Sequence, residues 1–250
     1  MEAKYAILNR KEGLIIPEGV NKSEGLLVNE LFYDTIQGEG PTAGTPSVFL
    51  RLQGCTLDCV WCDTEWRHGE FFTFDSLLYL MDRYDIAHKL WQGHHLILTG
   101  GSPLKQQDNI IRFISAFDFK FGFVPKIEVE NECVITPKMD LVDFVSHWNN
   151  SPKLSNSGMK LSARYKPKVI EAMSFLPNSI FKFVIGKQED WEEIKAGFLD
   201  VGIIRKQQIV LMPLAATYEE LLVSRSLAAS IAVEHGVRYS SREQLVLGVP

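Results

Sequence analysis

No run of about 18 apolar residues occurs in the 250-residue chain, so nothing in it qualifies as a membrane-spanning segment. The start, Met1-Glu2-Ala3-Lys4-Tyr5, lacks the basic-then-apolar pattern of a secretory signal, and a cytoplasmic location is expected. Cysteine is scarce. Three of the four fall between positions 55 and 62 and the fourth, Cys133, stands alone, a distribution that suits metal or redox chemistry better than a disulfide framework. Basic residues are also short, 26 Lys and Arg against 31 Asp and Glu, for a net charge of -5. With no stretch interleaving Lys or Arg with aromatics, the chain lacks the footprint of a nucleic-acid binder, and a small-molecule substrate is favoured. Repeats, low-complexity tracts and Pro/Gly/Ser-rich linkers are missing too, so one domain is the expectation.

What is present is an alternation. Apolar β-rich runs at Val48–Leu52, Leu96–Thr99, Ile127–Glu130, Phe181–Ile185 and Ile209–Met212, with weaker ones near Met159–Leu161 and Leu245–Leu247, are separated by segments of helical period. Leu77, Leu80, Met81 and Tyr84 share one helical face, as do Leu221, Ser224, Ala228, Ile231 and His235. Thr217 and Glu220 have the spacing of a capping box for the second of these helices. The pattern predicts an α/β fold, a modified and incomplete (β/α) barrel of about six strands whose chemistry gathers at the carboxyl ends of the strands. Residues 1–27 read as an N-terminal extension and 28–250 as a single catalytic domain.

Cys55, Cys59 and Cys62 form a C-x3-C-x2-C triplet directly after the first predicted strand. Thiolates suit iron–sulfur clusters and zinc, and one tight loop at this spacing can aim three sulfurs inward. A four-iron cluster held through three irons leaves coordination open on the fourth, as radical S-adenosylmethionine enzymes require. Structural zinc completed by His68 or Cys133 is the competing account. The Val60-Trp61 pair and the preceding strand weigh towards the cluster.

Three longer strings narrow the choice. Tyr33-Asp34-Thr35-Ile36-Gln37-Gly38-Glu39-Gly40, the stretch Gly44 to Cys55 containing Phe49-Leu50-Arg51-Leu52, and Cys59-Val60-Trp61-Cys62-Asp63-Thr64 together resemble the 7-carboxy-7-deazaguanine synthases of the radical S-adenosylmethionine superfamily. Later landmarks, among them Leu98 to Pro103, Lys182-Phe183-Val184 and Ser241-Arg242, extend the likeness over residues 28–250. The resemblance implies a homodimeric enzyme that uses a 4Fe-4S cluster on Cys55, Cys59 and Cys62, S-adenosylmethionine, and Mg2+ on the hydroxyl of Thr64, whose plain alternative is a turn residue. It implies conversion of 6-carboxy-5,6,7,8-tetrahydropterin to 7-carboxy-7-deazaguanine, on the way to queuosine and related 7-deazaguanines, with electrons from a flavodoxin- or ferredoxin-type donor. Ile36, Gln37, Gly38, Arg51, Thr99 and Pro250 would contact the pterin, and Trp61, Cys62, Asp63, Gly101, Ser102, Glu130 and Ser151 the S-adenosylmethionine. A cation inside an apolar strand needs a partner, and Arg51 would take the substrate carboxylate or an internal carboxylate such as Glu39.

Some positions depart from the family pattern. Ser102 stands where a glutamate is usual in Gly-Gly-Glu-Pro and ordinarily binds the methionine amino group, so weaker cofactor binding, or compensation by Glu130 or Glu132, is expected. Asn131-Glu132-Cys133 replaces Thr-Asn-Gly, and Gln244 replaces a histidine. Cys133 thus reads as a strand terminus. Two other functions stay open at this level: another radical enzyme such as a glycyl-radical activase, or a zinc-binding module without turnover.

Overall fold

The computed structural model describes residues 24–250. Most of the expected extension therefore lies outside the described residues; the first described strand begins at Gly25, and Leu26 within it is fully buried.

Among the described residues nine strands form one open sheet: β1 (Gly25–Ile36), β2 (Pro46–Leu52), β3 (Glu70–Thr73), β4 (His95–Gly100), β5 (Lys126–Asn131), β6 (Val145–Asn150), β7 (Ser179–Ile185), β8 (Ile209–Pro213) and β9 (Arg238–Tyr239). Their order is β3-β1-β2-β4-β5-β6-β7-β8-β9. From β2 to β9 every neighbouring pair is parallel, while β1 pairs antiparallel with both β2 and β3. The helices are α1 (Phe74–Arg83), α2 (Ile86–Trp91), α3 (Gln107–Phe121), α4 (Met139–Val142), α5 (Leu161–Arg164), α6 (Pro167–Ser174), α7 (Gln188–Ile194), α8 (Tyr218–His235) and α9 (Glu243–Leu247). None is long and apolar enough to cross a membrane among the described residues.

The five stronger strand predictions coincide with β2, β4, β5, β7 and β8. The two weaker ones fail: Met159–Leu161 leads into α5, and Leu245–Leu247 lies in α9. Apolar triplets are too short to carry a period. Missed altogether were β1, β3, β6 and β9. In β1 the register with β2 shifts between Phe32 and Thr35, where Asp34 adopts φ 59°, and that irregularity breaks the alternation. In β6, Val-Ser-His-Trp-Asn-Asn contains no apolar run. The expected helical faces are largely seen, with Leu77 and Met81 buried in α1 and Leu221, Ala228 and Ile231 buried in α8, although Tyr84 is exposed. Thr217 Oγ1 accepts from Glu220 N at 3.2 Å as a capping box requires, whereas the Glu220 carboxylate reaches back to Ala216 N, one residue earlier.

Alternate residues of a strand face opposite sides of a sheet, and here the two sides differ in chemistry. Val48, Leu50 and Leu52 of β2, Leu96 and Leu98 of β4, Ile127 and Val129 of β5, Phe181 and Phe183 of β7 and Leu211 of β8 join the main core with residues of the longer helices. The residues between them point the other way. Phe49 and Ile97 form a small cluster there with Phe32, and Arg51, Thr99, Glu130 and Lys182 on the same side line a cavity of about 410 Å³.

Candidate active site

The cysteine loop leaves β2 and is closed at its base by main-chain and amide contacts. Gly54 N donates to Trp66 O at 2.9 Å, Gln53 N to Leu27 O at 3.0 Å, and Gln53 Nε2 to Arg67 O at 2.9 Å. Val60 N bonds Ser157 O at 3.0 Å, fixing the far side. Between these anchors Cys55, Cys59 and Cys62 all border the cavity. Burial pushes the Cys55 thiol up to about 11 and raises Cys59 as well, because a thiolate is poorly solvated there and nearby Lys153 offsets only part of that cost. Among the described residues no group of three His, Cys, Asp or Glu side chains is already closed into a metal-binding set. Neither alternative zinc ligand borders the cavity: Cys133 is fully buried just beyond β5, and the exposed His68 uses its carbonyl to hold Asn29 at the loop base.

Gly101 follows β4 against this loop. A Cβ there would stand 2.2 Å from Gly54 O, and Ser102 N donates to that same carbonyl at 2.8 Å, so only glycine lets the β4 loop lie on the cysteine loop. The side chain of Ser102 has no exposed surface and does not border the cavity; it donates to Glu132 Oε1 at 2.7 Å. Ser102 is therefore behind the cavity wall, where the expected ligand contact would pass through Glu132. Trp61 donates to Asn156 Oδ1 at 3.3 Å and carries Lys153 Nζ 5.4 Å over its ring, while Lys153 also donates to Ser151 Oγ at 2.8 Å.

On the opposite wall, Gln37 is almost wholly buried, donates to Glu130 Oε1 at 3.2 Å and accepts from Glu39 N. Glu130 Oε2 accepts from Thr99 Oγ1 at 2.7 Å. Arg51 Nε lies 3.1 Å from Glu30 Oε2, an ion pair out of hydrogen-bond alignment, and Arg51 Nη1 reaches Thr64 Oγ1 at 3.4 Å. Its internal partner is thus Glu30, across the β1–β2 pair, and not Glu39. Glu39 instead joins Lys182 and Arg242: Lys182 Nζ pairs with Oε2, and Arg242 Nε and Gln244 Nε2 each donate to Oε1 at 2.9 Å. Burial alone would raise the Glu39 carboxyl, but the two cations outweigh it and hold it far below the carboxylate range. Arg242 Nη2 also bonds Asp63 Oδ2 at 2.5 Å, tying the C-terminal segment to the cysteine loop. Pro250 O accepts from Thr35 Oγ1 at 2.8 Å, which brings the last residue to the cavity wall.

Two relatives decide the family. Over 249 aligned residues the chain is 30% identical to the 7-carboxy-7-deazaguanine synthase of Halobacterium salinarum, with 89% of this chain and 90% of that one covered. With the 7-carboxy-7-deazaguanine synthase of Pyrobaculum aerophilum it shares 31% over 212 residues, covering 84% and 89%. The chain belongs to the 7-carboxy-7-deazaguanine synthase family. No protein-family model matches it. The crystal structure of QueE from Escherichia coli has the same fold, with a TM-score of 0.58 at 18% identity over 88% of this chain and 94% of that one. The open sheet is accordingly the partial radical-enzyme barrel of the 7-carboxy-7-deazaguanine synthases.

Of the residues named for this family's site, Ile36, Gln37, Gly38, Arg51, Thr99 and Pro250 all border the one cavity. So do Trp61, Asp63, Thr64, Gly101, Glu130 and Ser151, and only Ser102 stands outside. Sequence reasoning gave no role to Lys153, Lys182 or Arg242. A signal existed for Lys182, since a lysine within the wholly buried run Ser179–Ile185 poses the same question as Arg51. Nothing local marks Arg242, whose partners lie about 180 to 200 residues away in sequence.

Proposed function

We propose that this chain makes 7-carboxy-7-deazaguanine from 6-carboxy-5,6,7,8-tetrahydropterin by radical S-adenosylmethionine chemistry, contracting the ring with loss of ammonia. The observation that carries the reading is one cavity at the carboxyl ends of the strands with three thiols on one wall and Arg51, Gln37 and Thr99 on the other. The donors fit a cluster. Three soft sulfurs, two half-buried and that of Cys62 exposed, come from a single loop, with no fourth cysteine or histidine bordering the cavity among the described residues.

Cys55, Cys59 and Cys62 would hold a 4Fe-4S cluster. The chemistry supplied by that cluster with bound S-adenosylmethionine is hydrogen-atom abstraction by a carbon radical, aimed by the protein. Trp61, Asp63, Gly101, Glu130 and Ser151 would contact S-adenosylmethionine, and Trp61 is already fixed by Asn156 and Lys153 as a flat apolar face. Ile36, Gln37 and Gly38 would meet the pterin edge. Gln37 can serve because its own amide is locked by Glu130 and the Glu39 main chain, which leaves its orientation settled before substrate arrives. Arg51 would take the substrate carboxylate; its partner Glu30 is 37% exposed on its side chain, so exchanging that partner for a ligand carboxylate forfeits little. Thr99 would add a hydrogen bond, and Pro250 closes the pterin end.

Thr64 Oγ1 would bind Mg2+ once Arg51 turns to substrate, because the guanidinium that now points at this oxygen is then engaged elsewhere. A homodimer, a flavodoxin- or ferredoxin-type electron donor and a place in queuosine or related biosynthesis complete the reading, with the family resemblance as their support. The test is anaerobic incubation of the cluster-loaded protein with carboxytetrahydropterin, S-adenosylmethionine, Mg2+ and a reductant. Formation of carboxy-deazaguanine is expected; an intact cluster with no such product refutes the proposal, and zinc in place of iron and sulfide would point to the non-catalytic module.

A further inference from the structure

Buried charges on the cavity face are paired almost without exception. Both oxygens of Glu39 are engaged by Lys182, Arg242 and Gln244, and both oxygens of Glu130 by Gln37 and Thr99. Arg51 has Glu30, and Lys153 is held by Ser151 and the Trp61 ring. Glu132 is the exception. It follows the last residue of β5, is 4% exposed and borders the cavity beside the cysteine loop. Its Oε1 accepts two hydroxyls, Ser102 Oγ at 2.7 Å and Thr56 Oγ1 at 2.7 Å. Its Oε2 is buried and has no hydrogen-bond partner, and no Lys, Arg or His forms an ion pair with it among the described residues.

An unpaired carboxylate oxygen in the interior is costly. Here it is also fixed in direction, because hydroxyls from two different loops grip the other oxygen and present Oε2. The partner it lacks must donate a hydrogen bond and carry, or be polarised by, positive charge. We propose that Glu132 is the carboxylate that receives the α-amino group of S-adenosylmethionine, and that Ser102 acts as its positioning residue. The assignment rests on the functional reading above. Within that ligand the α-amino group answers the description best, since the sulfonium has no N–H to donate and the carboxylate would be repelled. Glu130, the other candidate for supplying the negative charge that Ser102 cannot, has no oxygen to spare.

The test compares two ligands on the anaerobic, cluster-loaded protein by equilibrium dialysis: S-adenosylmethionine and its analogue lacking the α-amino group. The wild type should bind the analogue at least about 10-fold more weakly, the lower end of a charge-assisted hydrogen bond. Glu132→Gln should weaken S-adenosylmethionine by about 10- to 100-fold and leave the analogue within about threefold, so that the discrimination narrows by that factor while iron and sulfide content stay unchanged. Ser102→Ala, which keeps the charge but frees one anchor, should give a smaller loss of the same kind. Discrimination by Glu132→Gln equal to wild type overturns the assignment alone. If that variant loses its cluster, Glu132→Asp and Ser102→Ala decide, and undiminished discrimination in both overturns it. A wild-type protein that holds iron and sulfide yet binds neither ligand overturns the functional reading and this assignment together.

Discussion

Replacing Glu39 by glutamine removes the single anion that serves two buried cations. The Glu39 and Arg242 side chains are each 12% exposed and that of Lys182 6%, so neither cation can turn to water. Breaking a buried pair by deleting one partner costs about 3–5 kcal/mol. Asp63 still holds Arg242 and Glu130 still lies near Lys182, which places the expected loss at the lower end, about 3 kcal/mol. For a chain of this size a urea m-value of about 3 kcal/mol/M converts that into a midpoint about 1 M lower. The assay is urea unfolding of the metal-free protein followed by tryptophan fluorescence, repeated from pH 7 down to pH 3. Because the folded carboxyl lies below its unfolded value of 4.5, its contribution is full above that value and fades as pH falls towards the folded one. The gap between wild type and variant should therefore be widest near neutrality and begin to close below about pH 4.5. A variant with an unshifted midpoint at pH 7, or a gap that stays constant down to pH 3, would refute the reasoning.

Alanine at Cys55, Cys59 or Cys62 should each abolish iron and sulfide retention after anaerobic reconstitution, whereas Cys133→Ala should retain both, as elemental analysis would show. Gly101→Ala must force the β4 loop off Gly54 O, since its Cβ would lie 2.2 Å away, and should cost about 1–3 kcal/mol together with faster loss of the cluster on dilution. Arg51→Met should raise KM for the carboxypterin about 10- to 100-fold with a smaller change in kcat; an unchanged KM removes Arg51 from the substrate site. Thr217→Ala deletes the N-cap of α8 and should cost about 1 kcal/mol, read as a fall in Tm of about 2–4 °C.

How much of this was legible in the sequence depended on which face of the sheet a residue joins. Strands that present Val, Leu, Ile and Phe to the helices announce themselves, and β2, β4, β5, β7 and β8 were found. β6 was hidden because the stretch around its buried Trp148 is Ser, His and Asn, polar residues on both faces that leave no apolar alternation to read. β1 was hidden by its bulge, and its long range had no single period to read. Most of the motif residues border one cavity because one loop and three strand ends carry them. Ser102 differs: its position in the chain is the motif's, but its short side chain stops at Glu132 and does not border the cavity. Long-range pairs such as Arg242 with Glu39 and Asp63 leave no trace in spacing at all.

The charged pairs also explain why distant parts of the chain converge on one cavity. Arg242 joins Glu39, which follows β1, to Asp63 in the cysteine loop, and Gln244 beside it fills the space over Gly38, where a Cβ would stand 1.9 Å from its Oε1. Glu243 N donates to Gly38 O at 2.9 Å, so α9 is fastened to the Gln37 turn through main chain as well as charge. The buried charges among these fastenings are taken up by one another, whereas Glu132 Oε2 has no protein partner. A polar cavity face built this way is rigid where its charges meet each other and receptive where one does not, and the place where it does not lies against the cysteine loop.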